Sequence, residues 1–354
     1  MVEFQRIFRV SSRVLSILSL CIGCVSGTVR KVQVGQELPE DLSKELQTRF
    51  AIRETESLPQ VYLSQVQQLT EPNKKKKGKK LSLKKKLPDH SIASYQIPFR
   101  RALEDPVWIG EQFVYSISYF GVSAGDFTLE ALPLKVIDGR KVYHVRGGAV
   151  SSSVFSLFYR LNDVVESFID YDGLFSHRFH LVLDETKQTR DSLELYDSMK
   201  KQTFYWNRWN HKTNGYKETK EFGSMESFSQ DSLSALYYLR HQKLEPGVVV
   251  SFPVVSEGKS FESVCTVVRR ETIRTSMGEV RALVIRPEMK YQGLLKKSGD
   301  SYLWLTDDDR KIPIRLEAKV RIGTVMAVLS KMEPGVTPHT DSQMIPGDTE
   351  LKAR

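Results

Sequence analysis

Between Trp108 and Met332 the chain alternates. In Phe113-Val114-Tyr115-Ser116-Ile117-Ser118-Tyr119, the residues Phe113, Tyr115, Ile117 and Tyr119 fall on one face of an extended segment. That is the period-two signature of a half-buried strand, and the β-branched and aromatic composition agrees with it. Gly121 to Gly125 predicts a turn, Phe127 to Leu132 a returning strand, and Asp138-Gly139 a tight hairpin. Val142–Val145, Val164–Tyr171, Phe175–Leu183, Asp191–Tyr196 and Gln202–Trp206 continue the series, with Phe155 to Leu161 a short helix or the start of a strand. Strands resume at Val248–Val255, Phe261–Thr275, Val280–Arg286, Ser301–Thr306, Ile312–Val320 and Val325–Ser330, separated by Gly- and Asp-rich turns.

One segment breaks the alternation. In Asp231 to Gln242, Leu233, Leu236, Tyr237 and Arg240 recur at helical spacing. Ser229 or Asp231 can cap its start, and Glu245-Pro246-Gly247 stops it. The prediction is a mainly β domain over residues 96–333. It is a curved antiparallel sheet or open β-barrel-like domain with one principal helix at about 230–242.

The flanks read differently. Arg6, Arg9 and Arg13 precede the apolar run Val14–Gly23, and small residues follow. A basic segment, a short apolar one and a small-residue site make a secretory signal over residues 1–24; about 20 apolar residues would be needed to span a membrane. Cys21-Ile22-Gly23-Cys24 has the form of a lipoprotein cleavage box with Cys24 as lipid acceptor, although Cys21 stands where Leu is usual. Val25-Ser26-Gly27 before Thr28 offers an ordinary cleavage site, so both remain open. Residues 25–95 read as a polar tether. Within it Leu42, Leu46 and Phe50 form one short apolar stripe, and Val61, Val66 and Leu69 another. Neither folds alone, and docking on the domain is left open. Residues 334–354 read as a disordered tail.

Charge sharpens this division. The net charge is +9, and the run Lys74–Lys86 holds nine lysines and no acid, so the remainder is close to neutral. A domain built to bind nucleic acid carries a basic face of its own, so no nucleic-acid partner is expected. Lys74, Lys75, Lys76, Lys77, Lys79, Lys80, Lys84, Lys85 and Lys86 are either a solvated spacer or a contact to an anionic membrane or cell-wall surface. The chain has three cysteines, and Cys265 alone lies in the domain, which excludes a disulfide framework there.

Candidate chemistry is sparse. His177 and His180 are three apart, so on a strand they point to opposite faces and make a poor metal pair; surface positions are expected for them. Cys265 reads as a buried core thiol. Asp307-Asp308-Asp309 lacks the alternation of a calcium loop and reads as a turn. No pattern calls for a metal or cofactor. The densest aromatic stretch is Phe204 to Trp209, and Tyr205, Trp206, Arg208 and Trp209 are the candidate residues of a ligand groove, set against a strand buried on both sides.

Four stretches together resemble one bacterial family, the exported domain of unknown function 3108 family. They are Gly110-Glu111 through Tyr119 with Gly121 and Ala124-Gly125; Asp231 through Arg240; Glu271 with Met277-Gly278 and Pro287; and Trp304-Leu305-Thr306-Asp307-Asp308 through Pro313. The resemblance spans Pro106 to Met332. It implies an exported β-rich domain and brings no catalytic residues with it.

These readings point to an exported, non-enzymatic cell-envelope protein, periplasmic or attached to the outer membrane of a two-membrane bacterium. Its curved sheet would hold an apolar ligand, such as a lipid, or an envelope component, beneath a helix over its mouth. The alternatives are a structural or assembly partner that binds another envelope protein through a sheet edge, and a hydrolase whose residues converge from distant strands.

Overall fold

The computed structural model describes residues 38–55, 97–276, 278–291, 294–296, 301–319 and 323–337. Among these, alternation has become one large antiparallel sheet. Its strands are β1 (Arg53–Glu54), β2 (Gln112–Tyr119), β3 (Val122–Ile137), β4 (Arg140–Ser151), β5 (Asn162–Asp170), β6 (Ser176–Asp184), β7 (Gln188–Asp197), β8 (Gln202–His211) and β9 (Gly215–Ser224). Then come β10 (Val249–Ser256), β11 (Lys259–Thr275), β12 (Gly278–Tyr291), β13 (Leu294–Lys296), β14 (Ser301–Thr306), β15 (Pro313–Lys319) and β16 (Thr324–Glu333). Three helices accompany them: α1 (Lys44–Phe50), α2 (Ser153–Ser156) and α3 (Ser232–Arg240).

The spatial order is β10-β11-β12-β14-β15-β16-β2-β3-β4-β5-β6-β7-β8-β9, with β1 beside β3 and β13 beside β12. The sheet is open and does not close into a barrel. Its two edge strands, β9 and β10, are consecutive in the chain, and α3 lies between them. Register shifts at Ile117/Ser118, Leu132/Lys135, Phe168/Ile169, Val267/Arg269, Trp304/Leu305 and Leu329/Lys331 bend the strands. The curl brings the two ends together at one corner. There the Glu257-Gly258 turn of the β10–β11 hairpin meets β7 through hydrogen bonds from Gly258 N and Glu257 N to the Glu194 carboxylate, at 2.8 and 3.1 Å.

The inward face supplies most of the core. Phe113, Tyr115, Phe127, Leu129, Val145 and Val165 are buried in one cluster with Leu233 and Tyr237 of α3. At Gly147 an added Cβ would lie 2.8 Å from Val165 Cγ1 and 2.9 Å from Phe127 Cζ, so this strand position is kept bare by close packing. Ala235 and Leu239 of α3 join a second cluster with Phe252, Val254, Cys265, Val267 and Leu305. The helix therefore sits inside the curve rather than over its mouth, because its apolar residues face two clusters at once.

The outward face is partly covered by α1. Ser43 caps this helix, accepting from Leu46 N at 3.3 Å. Leu42 and Phe50 are buried against Ile137, Val142, Phe168, Leu193, Leu195 and Phe204. Arg49 anchors it with 2.7 Å to Asp197 and 3.0 Å to Asp138. The stripe Leu42, Leu46, Phe50 thus docks on the domain, and residues 38–55, assigned to the tether by sequence, are part of the packed structure.

Candidate functional site: an apolar hollow beneath the buried helix

Both ends of α3 are pinned by buried polar groups. Asp231 caps its start, accepting from Leu233 N and Ser234 N at 2.7 Å each, while Ser234 Oγ accepts from Asp231 N. The same carboxylate accepts from Ser167 Oγ of β5 at 2.6 Å and Ser176 Oγ of β6 at 2.5 Å. Burial raises the pKa of Asp231 against these four donors. At the other end Arg240 is fully buried and donates to both oxygens of Glu111, at 2.5 and 3.0 Å, and to Pro106 O at 2.6 Å.

Between these anchors the helix does not meet the sheet completely. A hollow of about 130 Å³ remains beneath Leu233, Leu236 and Leu239, walled by Phe127, Phe252, Cys265, Leu303, Leu316 and Ala327. Its walls are almost wholly apolar. Ser232, which also lines it, has a buried Oγ with no hydrogen-bond partner. A void near 150 Å³ lined by aliphatic and aromatic groups holds a benzene-sized molecule, whereas drug-sized ligands occupy roughly 300–1,000 Å³. The hollow therefore admits one ring or a short stretch of acyl chain.

Cys265 forms part of its wall. It is 2% exposed, with Ser263 Oγ 3.6 Å from its sulfur, and burial pushes its thiol pKa up to about 11. Thiolate is the nucleophilic form, so such a group is inert. Iodoacetate is expected to leave Cys265 unmodified in the native protein and to alkylate it in denaturant, as peptide mapping of the two samples would show.

The sequence-derived groove residues do not come together. Tyr205 and Trp209 point to one side of β8 and Trp206 and Arg208 to the other, as alternation requires. Tyr205 is buried and accepts from Arg190 Nη2 at 2.5 Å, and Trp209 Nε1 donates to Gln188 Oε1 at 2.7 Å. On the opposite face Arg208 stacks 4.0 Å from the Trp206 ring, Trp206 Nε1 donates to Glu218 Oε1, and Arg208 Nη2 donates to Asp191 Oδ2 at 2.5 Å. These four line no common groove; they satisfy one another and their strand neighbours. Cys24 and Lys74 through Lys86 lie outside the described residues.

The histidines also differ from expectation. His177 and His180 are buried, not on the surface. His177 Nε2 is 3.0 Å from Asp170 and His180 Nε2 is 2.7 Å from Asp191, each carboxylate also bound to an arginine, Arg140 or Arg208. Burial disfavours the charged form of Asp170, yet Arg140 and His177 hold its pKa well below the usual carboxylate range. Asp308 closes a turn, accepting from Thr306 Oγ1 and Lys311 N, as the sequence suggested for the Asp307–Asp309 run.

The fold and site define a class: a curled, open antiparallel sheet wrapped around one pinned helix, with an apolar hollow beneath it. Residues 114–330 match the family model described as Protein of unknown function (DUF3108), and the chain belongs to that family. No curated protein matches the sequence. Among solved structures, a β-barrel-like protein of the DUF1849 domain from Brucella abortus is similar, with 10% identity and a TM-score of 0.39 over 64% of this chain and 98% of that one. So is a candidate exported protein with a YmcC-like fold from Bacteroides fragilis, at 11% identity and a TM-score of 0.30, over 66% of this chain and 99% of that one. A candidate lipoprotein from Parabacteroides distasonis shows 8% identity and a TM-score of 0.30, over 67% of this chain and all of that one.

Proposed function

We propose that this is an exported, non-enzymatic envelope protein that binds an apolar group, a ring or the end of an acyl chain, in the hollow beneath α3. The hollow itself carries the reading. Left empty, the apolar walls of this hollow lack packing partners on one side, in a structure whose helix is otherwise fitted and pinned at both ends. Ser232 Oγ, buried without a partner, would hydrogen-bond a polar group attached to the apolar one. Export rests on the basic-apolar signal pattern of residues 1–24, with Cys24 as the proposed lipid acceptor. The Lys74–Lys86 run would hold the protein near an anionic membrane or wall surface.

Filling the hollow tests this. Ala327 is 4% exposed and lines it. Ala327→Leu is expected to raise the urea midpoint and to lower binding of an apolar fluorophore, N-phenyl-1-naphthylamine, at least about tenfold, the factor that 1.4 kcal/mol produces. Decanoate should displace the dye from the parent protein. Unchanged dye binding in Ala327→Leu, with Ala235→Leu from the helix side agreeing, would place the dye elsewhere and remove the basis for this function.

A further inference from the structure

The end of the sheet that carries the β2–β3 and β4–β5 connections exposes large apolar side chains in a group. Phe120 and Val122 are both 62% exposed, Val154 64%, Leu157 82% and Phe158 81%. Hydrogen bonds hold them together: Ser152 N donates to Ala124 O at 3.2 Å and Ser152 Oγ to Ser123 O at 3.3 Å, tying the α2 loop to the β2–β3 turn. The loop is not a collapsed segment that merely failed to bury its residues. Phe155 and Tyr159 take the inward positions and pack on the core, which leaves Val154, Leu157 and Phe158 directed outward. Phe120 has φ of 51° and precedes Gly121 in a tight turn where Asn or Asp is the cheap choice. A phenylalanine there is held in a disfavoured backbone conformation, and although its ring meets Tyr119 at 4.6 Å between centroids and lies over Gly323, most of it stays exposed.

The same end carries cations. The β6–β7 turn is joined to this loop by Thr186 N donating to Arg160 O, and the β8–β9 turn to that one by Lys212 N donating to Lys187 O. Lys187, Lys212 and Lys319 are exposed, with no acidic partner among the described residues. The nearby acids are engaged, Asp184 with Arg160 and Glu185 with Tyr159. Apolar tips ringed by free ammonium groups match a surface that is anionic outside and oily beneath, and a lipid interface has that chemistry.

We propose that this end of the sheet rests on an anionic lipid surface, with Phe120, Val122, Leu157 and Phe158 entering the acyl boundary and the three lysines meeting headgroup phosphates. This contact is separate from the hollow and from the Lys74–Lys86 run.

The test uses the full chain with vesicles of phosphatidylcholine and phosphatidylglycerol. Phe158→Trp reports on the tip and Leu103→Trp, 93% exposed beyond the opposite end of β2, serves as control. After subtraction of the unsubstituted protein, the tip tryptophan is expected to shift to the blue and to be quenched by brominated acyl chains several-fold more than the control. Leu157→Ser with Phe158→Ser should weaken vesicle binding about tenfold or more, since full burial of even one of the two side chains is worth that factor. Water-like emission from the tip in vesicle-bound protein, or equal quenching at both positions, would overturn the proposal. So would sedimentation showing a dimer that the double serine variant abolishes, because a second copy would then cover the patch.

Discussion

Replacing Glu111 with alanine is expected to remove about 3–5 kcal/mol of folding stability, the range found when a buried pair loses one partner. Glu111 and Arg240 are both fully buried, and their two hydrogen bonds join the start of β2 to the end of α3. Arg310 reaches the same carboxylate at 2.5 Å from the turn between β14 and β15. Burial by itself opposes the charge on Arg240, and the Glu111 carboxylate more than offsets it, so the guanidinium stays protonated. Remove the carboxylate and the charge remains, enclosed by Phe113 and Tyr237, with backbone carbonyls as its remaining acceptors. Urea unfolding of Glu111→Ala measures the loss. Asp307→Ala, which breaks pairs with the exposed Arg270 and Arg281, is the comparison and should lose about 1 kcal/mol or less. Equal effects from the two substitutions would mean that the buried pair does not fasten the helix.

That pair shows what a sequence discloses and what it conceals. Leu233, Leu236 and Tyr237 announced a helix through spacing, and Ser229 or Asp231 its cap, of which the structure uses Asp231, because both are local properties. Glu111 and Arg240 are 129 residues apart, and nothing local says that they meet. The same division holds for the sheet. Strands with apolar alternation were legible, whereas β9 was not, since Lys217, Glu218, Lys220 and Glu221 dominate it. It is an edge strand, and charge on an edge discourages pairing with another chain, so its pattern records protection rather than burial. Alternation correctly divided Tyr205 and Trp209 from Trp206 and Arg208, but aromatic density alone suggested a groove where cross-strand partners had already engaged each side chain. The hollow was invisible for a further reason. It is space left between α3 and strands from both halves of the sheet, and no single residue marks it. Leu157 and Phe158 fell in a stretch, Phe155 to Leu161, that read as a short helix or the start of a strand, and their exposure was hidden because it is likewise a property of the folded surface.

The corner where the sheet's two ends meet should make stability depend on pH, with Glu194 as the group responsible. Its side chain is almost fully buried and accepts from Gly258 N, Glu257 N and Thr203 Oγ1. Tyr196 O–H donates to it at 3.4 Å and also to Val255 O, and Arg190, four residues earlier on β7, holds Glu257 at 2.8 Å. Burial dominates these donors and pushes the pKa up from 4.5 to about 7. Between those values the folded protein keeps a proton that the unfolded chain has released. The contribution to stability is therefore complete below pH 4.5 and is lost as pH rises through 7, about 3 kcal/mol in all. Glu194→Gln keeps a carbonyl oxygen for one backbone donor and never ionises. The unfolding free energy of Glu194→Gln minus that of the parent should rise by up to about 3 kcal/mol from pH 4.5 to 7 and level off above it, as urea titrations at stepped pH would record. The subtraction removes the other titrating groups, Asp170 among them, because both proteins share them. A flat difference would show that Glu194 is ionised throughout and that its backbone donors outweigh its burial. The corner would then be held by a charged carboxylate and would not loosen as the solution becomes neutral.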